Sequence, residues 1–183
     1  MTYFYLCLKF IDVIRSGKKL KELAALFSRK NKSAVTEAIT LLRDEESCEG
    51  VIGLLASFYD SSDDKPLMKT IENFFNDIKD QTVRPEMIAE IRKPWKTNTI
   101  SMLISSCWQS GLDYSDYLVD LARVFLKSDY ATSVECMTVI SESVNNSSRE
   151  RKDEIIRIVR ESPFSFTNEK YALTEELISI LER

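Results

Sequence analysis

A chain of 183 residues with 44% hydrophobic and 30% charged residues can bury a continuous core and has the composition of an ordinary globular fold. Its net charge of −4 and isoelectric point near 5.1 speak against a dedicated nucleic-acid binder. The absence of histidine removes serine and cysteine nucleophiles paired with histidine, HExxH zinc sites and histidine-bearing di-iron motifs in one step.

The apolar residues recur at intervals of three and four, and glycine and proline number only four each, so the expected class is all-α. The opening MTYFYLCLKFIDVIRSG lacks the basic region and small-residue cleavage site of a signal peptide. Lys9 and Asp12 interrupt it short of the roughly 20 apolar residues that span a bilayer. It reads as a first helix with Leu6, Phe10, Val13 and Ile14 inward and Tyr3, Phe4 and Tyr5 as an end cap. Gly17 marks a turn, and 18–28 form a second helix with Leu20, Leu23, Ala24 and Phe27 inward. Ser33 is the expected cap of a helix carrying Val35, Ile39 and Leu42, which runs into the acidic Asp44–Glu46. Ser47 is expected to start the next helix, with Val51, Leu54, Leu55 and Phe58 on one face. Gly50 and Gly53 in its interior imply close packing, since each costs about 1 kcal/mol relative to alanine.

Asp60 to Pro66 is the clearest loop, and Pro66 suits the first turn of a helix over 65–79 with Leu67, Ile71, Phe74, Phe75 and Ile78. Pro85 opens a shorter helix with Met87, Ile88 and Ile91, and Pro94 stops it. Three amphipathic helices follow. The first carries Ile100, Leu103, Ile104, Cys107 and Trp108, and Gly111 closes it. Asp113 and Ser115 precede the second, over 115–127, with Leu118, Leu121, Ala122, Phe125 and Leu126. Ser128 and Asp129 lead into the third, with Val134, Met137, Val139 and Ile140. A turn at 145–148 introduces a charged helix with Ile155, Ile156, Ile158 and Val159. A loop at 162–167 precedes a terminal helix holding Tyr171, Leu173, Leu177, Ile180 and Leu181.

Shifting the chain by fifty positions aligns Leu54 with Ile104, Phe58 with Trp108, Ile71 with Leu121, Phe75 with Phe125 and Met87 with Met137 without a gap. Such self-similarity favours a repeat of helical units within a single domain spanning 1–183. The segment Leu118 to Leu126 followed by Ser128 to Met137 resembles a unit of the HEAT/armadillo α-solenoids. Leu67–Asp80 with Val83–Ile91 looks like a weaker copy, and Ala34–Asp44 with Cys48–Phe58 a third. The chain departs from the family in lacking a clear Asp-x-x-Val-Arg ladder and in its Pro85 and Pro94 insertion. The resemblance implies a right-handed α–α superhelix of about ten antiparallel helices, with a concave face that binds a peptide or helix of another protein. The expected function is a non-catalytic scaffold or adaptor without cofactor or metal.

The resemblance also includes a minority branch that binds nucleic acid, including HEAT-like DNA glycosylases; here that alternative would use the basic N-terminal helices, with Trp108 and Asp113 as the nearest stacking and carboxylate pair. Up to Lys32 the chain carries eight Lys/Arg and two Asp/Glu, while 33–80 carry four against eleven. The expected partner-binding residues are Trp95 with Lys93 and Lys96 in the proline-broken loop, and Lys18, Lys19, Arg29 and Lys30 near the start. Carboxylates at 44–46 and 60–64 read as solvated helix ends. Cys7, Cys48, Cys107 and Cys136 lack CxxC pairing and read as reduced thiols of a cytoplasmic protein.

Overall fold

The computed structural model describes residues 17–28, 31–43, 49–165 and 169–183, and all regular structure among them is helical. A helix over residues 17–28 (α1) is followed by α2 (Lys32–Leu42), α3 (Val51–Ser61), α4 (Lys65–Asp77), α5 (Arg84–Ile91) and α6 (Thr97–Gln109). Then come α7 (Leu118–Lys127), α8 (Tyr130–Ser143), α9 (Arg149–Glu161) and α10 (Tyr171–Glu182). The expectations for 1–16, for the start at Ser47 and for Arg29, Lys30, Cys7 and Cys48 fall outside the described residues.

Short polar side chains open the helices by accepting orphan amide protons of the first turn. Asp64 accepts from Leu67 N–H (3.2 Å), Asp129 from Thr132 N–H (2.8 Å) and Ser148 from Arg151 N–H (3.4 Å). Asn31, not the expected Ser33, caps α2 by accepting from Ala34 N–H. Asp113 accepts from Ser115 N–H ahead of a single 3₁₀ turn (Ser115–Tyr117), which delays α7 to Leu118.

Gly50 is not inside α3 but caps it at φ 89°, a left-handed conformation that glycine adopts without the Cβ clash. Gly53 does lie inside the helix. A Cβ there would come within 2.7 Å of the Glu90 carboxylate, so the close neighbour is a side chain of α5.

Helices pack in an alternating order. α2 lies on α4, α4 on α6, α6 on α8 and α8 on α10, while α3 lies on α5 and α7 on α9. Contacts of α3 with α4, α7 with α8 and α9 with α10 tie the two series together. Their shared core is lined by fully buried Ile71 and Phe75 of α4, Leu103 and Ile104 of α6, and Leu118, Leu121 and Phe125 of α7. Each such side chain contributes about 1.5 to 3 kcal/mol through removal from water. The fifty-residue alignment agrees with burial at Ile71/Leu121 and Phe75/Phe125, and departs from it where half-buried Phe58 matches exposed Trp108.

Several expected core positions require correction. Trp108 is exposed (39%), because α6 turns Met102, Leu103 and Ser106 inward and leaves Trp108 on the far side. Tyr171 is exposed at the first turn of α10, where Lys170 goes inward instead. In α8, Val134 and Met137 are only half-buried, and Thr132, Ser133, Cys136 and Ser143 line the interior beside Val139 and Ile140. α8 packs on both α6 and α7, so its buried face is broad and takes small residues. Ser133 Oγ donates to Phe125 O (2.9 Å), and Ser143 Oγ accepts from Tyr114 N–H (3.2 Å).

Lys170 closes the lower end of α7. It is 8% exposed, and its Nζ donates to the carbonyls of Phe125 (2.8 Å), Leu126 (3.3 Å) and Ser128. Burial lowers the Lys170 pKa, while the nearby Cys136 and Asp129 act in the opposite sense. Lys170→Met leaves those carbonyls without their donor and is expected to cost about 2 to 4 kcal/mol in urea unfolding. A loss under about 0.5 kcal/mol would contradict this role.

Candidate functional site

Pro94 ends α5 early, and the chain re-enters helix at Thr97. The break separates the end of α5 from the start of α6, and α7 with the α7–α8 turn forms the opposite wall. Between them lies an open groove of about 610 Å³. Its apolar lining comes from Ile91, Ile100 and Val124, and its cationic groups are Arg92, Lys93, Arg123 and Lys127.

The charges in this groove fall into committed and uncommitted sets. Arg92 pairs with Asp120, its Nη2 standing 2.6 Å from Oδ1 and its Nε donating to the same oxygen (3.1 Å). Lys93 Nζ pairs with the buried Glu90 (2.6 Å) and stands 5.8 Å from the centre of the Trp95 ring. Asp129 is engaged in capping α8. Arg123 and Lys127 are both exposed, lie one helical turn apart on α7, and form no ion pair among the described residues.

Of the expected partner-binding residues that are described, only Lys93 lines the groove. Trp95 is half-buried and packs against the core, with its Nε1 shut off from water and without a hydrogen-bond partner among the described residues. It is therefore less exposed than its loop position implies, because the turn folds the ring under Lys93. Lys96 is exposed, but its backbone N–H donates to Asp60 Oδ1 (2.8 Å) and its Nζ to Asp60 O, which ties the start of α6 to the end of α3. Lys18 pairs with Glu22 on α1 (3.9 Å), and Lys19 is half-buried on the same helix. Neither reaches the groove. Trp108 and Asp113 are committed separately: Trp108 Nε1 donates to Glu135 (2.6 Å), and Asp113 Oδ2 accepts from Asn146 (3.1 Å).

The sequence does not single out Arg123 and Lys127, which lie among the exposed positions of α7 outside its apolar stripe. Their spacing of four residues was the available signal. Cys107 and Cys136 are buried, free thiols. Burial pushes the Cys107 thiol up to about 12 and raises Cys136 as well, so both are protonated near neutrality. Among the described residues no group of three or more Asp, Glu or Cys is placed to hold a metal ion.

No protein-family model matches the chain, and no curated protein or solved structure matches it either.

Two measurements check this geometry. Thr132 N–H, donating to Asp129, holds that carboxyl below the usual carboxylate range. A depressed folded pKa gives stability that is present above the unfolded value near 3.9 and is lost as pH falls through the folded value. Asp129→Asn keeps an acceptor but not the charge, so the urea midpoint of this variant should fall less steeply than wild type below about pH 4. For the tryptophans, Trp108→Phe should remove most acrylamide quenching of fluorescence, whereas Trp95→Phe should leave a strongly quenched emission. Equal quenching in both variants would contradict the exposures described above.

Proposed function

We propose that this protein is a non-catalytic interaction module, a HEAT/armadillo-like right-handed stack of helices that holds another protein in the groove between α5, α6 and α7. The observation that carries the reading is the pair Arg123 and Lys127, two exposed cations without ion-pair partners among the described residues, beside an apolar floor. Ionic groups that serve folding are paired or hydrogen-bonded elsewhere in the structure, as Arg92, Lys93 and Lys170 are. A cation pair left open on a concave surface suits recognition.

The alternating contacts of α2, α4, α6, α8 and α10 beside α3 with α5 and α7 with α9 support the stacked-repeat reading. In a solenoid each element touches neighbours two positions away, and the resulting curvature provides an extended binding face. A chain without histidine offers little for proton transfer near neutrality, which favours binding over catalysis. Among the described residues, no helix is long and apolar enough to cross a membrane.

The test is capture of partners by tagged wild type and by Arg123→Glu/Lys127→Glu from lysate, each with and without nuclease. The expected result is a protein retained by wild type in both arms and lost by the variant. A catch that disappears with nuclease, or one that the variant retains in full, overturns the proposal.

A further inference from the structure

We infer that the groove takes an acidic peptide segment carrying an apolar anchor, contributed by the partner protein. This inference rests on the reading of the groove as the contact surface and adds the chemistry of what it binds.

Charge complementarity is the first argument. The chain has a net charge of −4, yet this groove gathers four cationic side chains against two carboxylates. Both carboxylates are engaged, Asp120 by Arg92 and Asp129 by the first turn of α8. What remains to meet a ligand is Arg123 and Lys127, so the bound group carries negative charge. Four residues of helix rise about 6 Å, which matches carboxylates one turn apart on a helix or two residues apart on an extended strand.

The floor supplies the second argument. Half-buried Ile100 and Val124 face the groove beside buried Ile91, and an apolar side chain placed there excludes water from them. Covering that floor also strengthens the flanking ion pairs by lowering the local dielectric. A partner with leucine-like and acidic side chains in alternation satisfies both halves of the surface.

Nucleic acid fits less well. A phosphate chain would pass Asp120 and Asp129 in the same groove. Single strands are held through stacking on open aromatic faces as well as charge. The nearest indole, Trp95, is half-buried under Lys93, and the groove lining contains no aromatic residue.

The experiment is fluorescence anisotropy on the full chain with four labelled probes. They are a short peptide of alternating glutamate and leucine, its glutamine-for-glutamate and serine-for-leucine counterparts, and a single-stranded oligonucleotide of equal net charge. Each is titrated with wild type, with Arg123→Glu/Lys127→Glu, and with Arg157→Glu/Arg183→Glu, which makes the same charge change at exposed cations outside the groove. Circular dichroism confirms that both variants fold. The expected result is binding of the glutamate–leucine peptide by wild type and the control variant, weakened about tenfold or more in the groove variant. Replacing glutamate or leucine in the peptide weakens binding similarly, and the oligonucleotide binds less tightly than the peptide.

Absence of peptide binding by wild type, equal binding by the groove variant, or tighter binding of the oligonucleotide each overturns the inference. The two proposals fail distinguishably. A groove variant that loses its protein partner in lysate while wild type ignores the acidic peptide refutes the ligand chemistry alone. A groove variant that keeps every partner refutes the contact surface itself.

Discussion

Short helices multiply helix ends, and every end leaves backbone donors or acceptors that need partners. With ten helices among the described residues packed against one another, many ends are covered by neighbours and cut off from water. Each buried group left unpaired would cost about 1 to 3 kcal/mol. The structure meets this constraint with side chains that reach from one helix to the end of another. Glu86 of α5 accepts from Gly50 and Gly53 N–H (both 3.2 Å) at the start of α3. Asp60 at the end of α3 accepts from Lys96 N–H and Thr99 Oγ1 at the start of α6. Lys79 donates to Ser110 O (2.6 Å) at the end of α6, Arg84 to Asp113 O, and Arg151 to Ser115 O (3.3 Å). These bonds fix how helices two or three positions apart in the chain sit, which non-directional apolar packing alone would leave loose.

The same constraint explains why a cation is free in the groove. Lys127 lies in the last turn of α7, where a lysine ordinarily turns to the terminal carbonyls and the negative end of the helix dipole. Lys170, from the start of α10, already occupies the carbonyls of Phe125, Leu126 and Ser128. Lys127 is thereby released to stand beside Arg123, although two like charges one turn apart disfavour the helix by a few tenths of a kcal/mol. The fold bears that cost where the groove opens, next to the proline break that shortens α5.

Much of this architecture is legible in the sequence because helical periodicity is a local signal. The stripes of α5 and α7, and that of α4 apart from half-buried Ile78, are buried as their spacing implies, and Pro66, Pro94 and Gly111 mark boundaries through fixed backbone chemistry. What escaped depends on neighbours distant in sequence. Trp108 follows Ile100 and Ile104 at intervals of four and so resembles core, yet α6 is rotated by its contacts with α3, α4, α5 and α8. Small polar residues enter the interior of α8 only because two helices flank it, and Lys170 is drawn inward by carbonyls more than forty positions earlier. The groove suffered the same limit. Lys93 was legible beside its proline, but Arg123 and Lys127 gain meaning only when α7 is set against α5 and α6.

The central claim is that the polar groups of this fold serve helix ends and leave Arg123 and Lys127 uncommitted. The stability of Arg123→Gln/Lys127→Gln by urea unfolding tests it most directly. If both side chains are free of structural duty, relief of like-charge repulsion and loss of the helix-dipole interaction offset one another. The variant should then unfold within about 1 kcal/mol of wild type. A loss of about 2 kcal/mol or more would show that the pair holds the fold together, and the account of the groove as a surface kept open for a partner would be wrong.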